Sequence, residues 1–356
     1  MNEKVLIVIF VLIFLLIYTG INYFVLNQLA KYFSWHKNII FYLFLSFAAL
    51  SYILASMLEA NFGNIFTRIF YILSATWMGF MFMLFFILFI LWMIGLFIKL
   101  PAITGIAALV LVMIICFYGM LSVGFVKITE VKLYSDKIDD PISIVHLSDL
   151  HLGPVHDKKF LEKAIYHTNK IDPDYVFITG DLVDGRYQYP LGYFNPLNNI
   201  KSKTYFVIGN HDAYAGTERV MNLLKNINIS VLRNQEAITD ELQIIGLDDS
   251  ENKTSVLNQL ENFDINNKKY SVLLYHRPDI FKTAASKHID LMLTGHTHAG
   301  QFIPFNLLTK LFLGYNHGLY QIGLSSMYVS AGIGTWGPPM RIGSRSEIVH
   351  IMIYPK

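Results

Sequence analysis

Two rhythms divide the chain. Up to Val126, apolar residues run almost unbroken, and no polar face recurs at helical period. Val5–Leu26, Asn38–Leu58, Ala75–Ile98 and Ile103–Val126 each reach the ~20 apolar residues that a bilayer crossing needs. An interfacial turn is expected at Ile65–Leu73, ahead of the third helix, and Pro101 separates the third from the fourth. Lys127–Pro141 reads as a polar linker with some strand character. From Ile142 the period shortens. Runs of five to seven apolar residues alternate with helical patterns. Strands are expected at Ile142–Leu147, Tyr175–Thr179, Thr204–Ile208, Glu241–Leu247, Ser271–Tyr275, Ile289–Leu293, Met327–Ala331 and Ile348–Ile353. Helices are expected at Asp157–Lys170, Thr217–Lys225 (with Thr217 as its cap), Ser255–Phe263 and Pro278–Ser286. The expected architecture is an N-terminal all-α transmembrane region of about four helices, residues 1–126, then a linker, 127–141, then an α/β sandwich with a mixed sheet, 142–356.

Composition sharpens the division. The chain is 54% hydrophobic and 15% charged, against the ~25% charge of an ordinary soluble domain. Up to Val126 the charged residues are Glu3, Lys4, Lys31, Lys37, Glu59, Arg68 and Lys99. The first apolar run is too long for a cleaved leader and no small-x-small site follows it. A net charge of +2 without a basic cluster argues against nucleic acid as a partner. The lone Cys116 excludes an intrachain disulfide. Lysines and arginines flank both ends of the spans, and their balance leans to a cytoplasmic C-terminal domain in a cell membrane. The expected spans carry no charge at mid-depth, which disfavours a transporter.

The chemistry gathers after the strands. Leu293-Thr294-Gly295-His296-Thr297-His298 closes one apolar run with two histidines whose imidazoles can reach one small volume. Alone, such a pair is more readily a polar loop than a metal site. Upstream, however, Asp149 and His151 follow Ile142–Leu147, and Asp181 and Asp184 follow Tyr175–Thr179. Asn210-His211-Asp212 follows the next run, and His276 the one after. Oxygen and nitrogen donors thus recur at the C-terminal edges of strands, where α/β folds keep their sites. Mixed donors without thiolates suit Mn, Fe or Zn rather than a structural zinc site.

At Asp149-Leu150-His151, Gly180-Asp181-x-x-Asp184, Gly209-Asn210-His211-Asp212, His276 and Gly295-His296-Thr297-His298 the chain resembles the calcineurin-like metallophosphoesterases. The tail Gly334-Thr335-Trp336-Gly337-Pro338-Pro339 with Arg341-Ile342-Gly343-Ser344-Arg345 is similar to membrane-anchored bacterial members. The resemblance covers about Ile142–Lys356 and implies two metal ions. One would be held by Asp149, His151, Asp181 and His298; the other by Asp181, Asn210, His276 and His296, with Asp181 bridging. It also implies that His211 stabilises or protonates a leaving-group oxygen, oriented by Asp212. Asp184 is expected to support the site by hydrogen bond. The implied activity is hydrolysis of a phosphate ester: a diester, a monoester or a pyrophosphate.

Three residues are candidates for the substrate: His317, in a glycine-flanked loop, and Arg341 and Arg345, whose guanidinium groups match phosphate geometry. The apolar run around Phe302, Phe305 and Phe312 is either internal core or a lid facing a bilayer, and the lid reading extends the substrate class to lipid-linked phosphate esters. A rival reading of the whole chain is a catalytically idle membrane scaffold or sensor that keeps the fold. The complete donor set argues against it.

Overall fold

The computed structural model describes residues 3–356 and divides into two compact units, Met1–Leu121 with Gly337–Met340, and Ser122–Trp336 with Arg341–Lys356. The first unit is helical: α1 (Glu3–Tyr32), α2 (Ile39–Phe62), α3 (Ile65–Gly95) and α4 (Ile103–Ser122). All four are long and apolar enough to cross a membrane. The turn expected at Ile65–Leu73 is the first part of α3, started by an Asn64–Thr67 capping box. That box satisfies two otherwise unpaired N–H donors, which is why the helix begins there. Helix α2 runs past the expected end at Leu58 and takes in Glu59, which is buried. Between α1 and α3, Trp77 Nε1 donates to Asn22 Oδ1 over 3.2 Å, a polar contact inside an apolar bundle.

The second unit is a four-layer sandwich of helix, sheet, sheet and helix. Its strands are β1 (Lys127–Ser135), β2 (Ile142–Leu147), β3 (Tyr175–Thr179), β4 (Lys203–Val207), β5 (Ser230–Val231), β6 (Gln235–Ile238), β7 (Leu242–Gly246), β8 (Tyr270–Leu274), β9 (Leu291–Thr294), β10 (Gly318–Ile322), β11 (Ser325–Val329) and β12 (Glu347–Pro355). They form two mixed sheets, ordered β1-β12-β2-β3-β4-β5 and β10-β11-β9-β8-β7-β6. The expected linker is therefore in part a strand: Lys127–Ser135 pairs in parallel with β12 from Lys127↔Glu347 to Ser135↔Pro355.

Strand alternation builds the layers. Ile142 and Ile144 of β2 point between the sheets with Phe177, Ile244, Val272, Leu293 and Ile351. Val145 and Leu147 point the other way, onto α5 (Lys158–Ile171) and α7 (Thr217–Leu224), through Leu161, Ile165 and Val220. The outer face of the second sheet is covered by α8 (Lys253–Glu261) and α9 (Phe281–Ser286). Asp157, expected as the first residue of α5, is its cap, and the cap of α7 is Gly216 rather than Thr217. The parallel register Leu147↔Ile178, Thr179↔Val207 and Leu274↔Leu293 ends neighbouring strands at one level. The loops after β2, β3, β4, β8 and β9 consequently open at one edge.

Candidate metal centre

Each of those five loops contributes. Asp149 and His151 follow β2, Asp181 follows β3, Asn210 begins the short helix α6 (Asn210–Ala215), His276 follows β8, and His296 and His298 follow β9. The loops turn so tightly that Asp149, His151, Asp181, His296 and His298 all adopt positive φ, between 45° and 71°. A left-handed non-glycine residue costs ~1–2 kcal/mol, and such strain concentrates where a site must be held open. Two glycines are obligatory here. A Cβ on Gly180, at φ 85°, would lie 2.7 Å from Gly209 Cα and from His276 Nδ1, and one on Gly295 would run into Ser148 Oγ and Asp149 Oδ2.

The side chains converge on two points. At the first, His151 Nε2 lies 3.1 Å from His298 Nε2, and His298 Nε2 lies 3.4 Å from Asp149 Oδ1. At the second, His296 Nδ1 lies 2.9 Å from Asn210 Oδ1 and 3.3 Å from His276 Nε2. Asp181 stands between them, with Oδ2 3.2 Å from His276 Nε2 and 3.6 Å from His151 Nε2, while its Oδ1 accepts the His211 N–H at 2.8 Å. All seven residues expected to hold metal are thus brought together.

Their chemistry fits cations. His276 Nδ1 donates to the Thr179 carbonyl at 2.8 Å, and His151 Nδ1 faces Asp184 Oδ1 at 3.3 Å. These outer partners fix which nitrogen carries hydrogen, so the inward Nε2 atoms offer lone pairs. Lone pairs from imidazoles, carboxylates and an amide oxygen then face one another at 2.9–3.6 Å, the spacing of donors that share an ion at ~2.0–2.2 Å. The charges agree. Burial disfavours a proton on His276, yet Asp181 beside it raises its pKa to about 10, so the carboxylate favours positive charge at this point, which an ion on the neutral imidazole would supply. Burial, with His276 adding to it, lowers His296 to about 3, and burial with His151 and Arg341 pushes His298 well down. Asp181 is driven well below the ordinary carboxylate range by the neighbouring histidines, against its burial.

His211 sits at the rim, 4.7 Å ring to ring from His151. Its partner differs from expectation. Asp212 does not orient it: its carboxylate turns back to accept the Val183 N–H at 3.0 Å and the Gly209 N–H at 2.9 Å, capping α6. Asp184 Oδ1 is the carboxylate that faces His211 Nδ1, at 3.4 Å. It bridges His151 and His211, which together raise acidity at Asp184 against its burial. Asp184 also raises the basicity of His211, with Asp181, against the burial of that ring. A third group of donors, His151, Asp184 and His211, could hold a cation by proximity alone; we assign it to orientation, since both Nδ1 atoms point to one carboxylate.

The expected substrate residues lie elsewhere. Arg341 is fully buried and donates to the carbonyls of His298, Ala331, Gly332 and Gly334 and to Ser344 Oγ. It binds the loop behind His298, and burial lowers its pKa to about 10. His317 Nε2 pairs with Glu347 at 3.0 Å. Arg345 is exposed. Two aromatic rings not expected at the site border His211: Tyr214, at 5.7 Å, and the half-exposed Trp336, at 6.1 Å. Trp336 is clamped by Gln301 through both amide atoms. The tail motif that contains Trp336, and the position of Gln301 directly after the His-x-His loop, are the signals in the sequence.

A sequence model of the calcineurin-like phosphoesterases matches residues 142–300. An uncharacterized metallophosphoesterase of Aquifex aeolicus is 35% identical, and the match spans 67% of this chain and 96% of that protein. The chain belongs to this family. An uncharacterized metallophosphoesterase of Helicobacter pylori is 37% identical over 65% of this chain, which spans 64% of that protein. A zebrafish relative, named transmembrane protein with metallophosphoesterase domain, is 32% identical over 70% of this chain and 62% of its own length. The α/β unit is thus a metallophosphoesterase domain with the fold of that family, joined to membrane-capable helices.

Proposed function

We propose that this metallophosphoesterase is a membrane-anchored phosphohydrolase whose centre holds two divalent or trivalent ions, Mn, Fe or Zn, with Asp181 between them. The observation that carries this reading is the placement of Asp181 Oδ2 within 3.6 Å of a candidate donor nitrogen on either side. A carboxylate oxygen has two lone pairs and can serve two ions, whereas an imidazole nitrogen has one. Ions of this kind supply Lewis acidity toward water and phosphate oxygens. The protein's own groups do the rest. The strained loops fix the donors before substrate arrives. Asp184 holds His211 with a proton available at the rim, where it donates to the leaving-group oxygen as the P–O bond breaks. Tyr214 and Trp336 border His211 and limit how a leaving group can lie against it. The substrate class is a phosphodiester, monoester or pyrophosphate, including lipid-linked ones, and nucleic acid is not expected. The domain is placed on the cytoplasmic side of a bacterial cell membrane, on the flanking-charge balance.

The test uses the full chain in detergent, stripped by chelator and reloaded with Mn²⁺. Turnover of a chromogenic phosphodiester or monoester should return with the metal. It should fall ~10²–10⁴-fold in His211→Ala, the span expected for a general acid, with metal content unchanged. Full metal loading with no turnover on any ester would favour the scaffold reading.

A further inference from the structure

The helix α10 (Phe305–Leu313) is built inside out for a soluble domain. A surface helix ordinarily turns its apolar stripe inward. Here the half-buried residues are polar. Asn306 and Thr309, three apart on one face, turn toward Asn316: Thr309 Oγ1 donates to Asn316 Oδ1 at 2.8 Å, and Asn316 Nδ2 donates to the Asn306 carbonyl at 3.4 Å. The outward positions are apolar. Leu307, Leu311 and Phe312 are 66%, 76% and 78% exposed, and Phe305, Leu308 and Leu313 are also exposed. The base of the helix is held firmly. Phe302 is buried, Ile303 N–H donates to the Ile342 carbonyl at 2.9 Å, and Ile342 N–H donates to the Gln301 carbonyl at 2.9 Å. The domain therefore displays this apolar face on a fixed mount.

We propose that α10 is an interfacial helix that docks the phosphoesterase domain on an anionic bilayer surface. The charges are complementary to one. Between Asp290 and Glu347 the chain carries no acidic side chain, while Lys310 lies on the helix and the exposed Arg345 lies two residues beyond Gly343, which bridges to Phe302. A short helix with large apolar side chains and a cation lies in the headgroup region with its apolar face down. The same chain carries four membrane-capable helices, so a bilayer is always at hand. Docking also reaches the centre. The Thr297 hydroxyl, between His296 and His298, donates to the Asn316 carbonyl, and Asn316 is the residue that α10 grips. Resting on the hydrolase reading above, this selects an ester borne in a membrane over one free in water.

The experiment places an environment-sensitive dye on Leu311→Cys, in a Cys116→Ser background, in the full chain reconstituted into phosphatidylcholine vesicles with and without phosphatidylglycerol. The expected result is shielding from iodide and quenching by nitroxide-labelled lipid, both stronger with phosphatidylglycerol. Iodide access equal to that of free dye in both vesicles overturns the proposal. Shielding without lipid quenching also overturns it, because a protein then covers the helix. Equal behaviour in the two vesicles overturns the requirement for anionic lipid. These readouts need no turnover, so they stand or fall apart from the hydrolase reading. As a second arm, Leu311→Ser with Phe312→Ser should weaken hydrolysis of a vesicle-borne phosphate ester by at least about tenfold, from the apolar burial lost. Hydrolysis of a soluble chromogenic ester should be unchanged. Equal loss on both esters contradicts the proposal.

Discussion

The two units use apolar residues in opposite ways. In the helical unit they are the outside: Leu16 is 76% exposed and Phe97 is 84% exposed. In the phosphoesterase unit Ile144, Phe177, Phe206 and Val272 are wholly buried. A lipid-facing surface asks only that a residue be apolar, so its function lies in composition. The sandwich asks that each residue sit at one register position, because that register brings five loops to one edge. The helical unit should therefore tolerate exchange within its class, and the phosphoesterase unit should not.

The largest effect is expected at the residue that both sets of donors share. Asp181→Asn should reduce metal-restored turnover by at least about 10³-fold, by analogy with loss of a main electrostatic group. Circular dichroism should show the fold retained. Turnover above a tenth of the parent would break the contrast between the units.

Next comes a residue that touches no substrate. Arg341→Met keeps the bulk but leaves the Ala331 and Gly334 carbonyls without a donor, while those of His298 and Gly332 keep the Gln301 and Glu347 N–H groups. Buried groups left unpaired cost ~1–3 kcal/mol each before relaxation, so a net loss of about 3 kcal/mol is expected. The melting temperature of the phosphoesterase transition should then drop by roughly 6–12 °C. An unchanged transition would show that those carbonyls find other partners.

A smaller effect tests the buried Glu347. Burial acts to raise its pKa, but His317, with the Ala331 N–H, lowers it to about 2. The folded pKa is thus below the ordinary value of 4.5. Glu347 therefore stabilises the fold above about pH 4.5, and that contribution is lost as pH falls through about 2. His317→Ala should lower stability above about pH 4.5, and its difference from the parent should shrink as pH falls toward 2. Because the imidazole is partly exposed, the loss should stay within about 1 kcal/mol. A loss as large at pH 2 as at pH 5 would contradict the assignment. The smallest effect belongs to the helical unit: Leu12→Ile, at an exposed position of α1, should leave turnover and melting within error.

How far these features could be read beforehand follows the same division. The membrane-capable helices and central strands were legible because each is a continuous apolar run, and α5 because its apolar residues recur at helical period. Strand β1 was not, because Lys127–Ser135 is an edge strand that buries only Val131, Leu133 and Ser135, so charged residues fill its outer face. The seven donors were legible because each follows a strand directly. The partner of His211 was not: Asp212 is adjacent in sequence, but a carboxylate in the first turn of a helix turns back to cap it. That left Asp184, brought in by the β3 loop. Arg341 was misread for a related reason. A guanidinium suits phosphate and clustered carbonyls equally, and only the folded loop decides between them. The apolar run after Gln301 split both ways, with Phe302 buried and α10 exposed.

The most direct test of the central claim is a count of metal. The full chain, purified, loaded with Mn²⁺ and dialysed, would be analysed by inductively coupled plasma mass spectrometry beside Asp181→Ala and His276→Ala. Two ions per parent chain are expected, and at most one in each variant, because Asp181 serves both positions and His276 only the second. A parent chain that holds one ion, or variants that keep two, would contradict a centre bridged by Asp181.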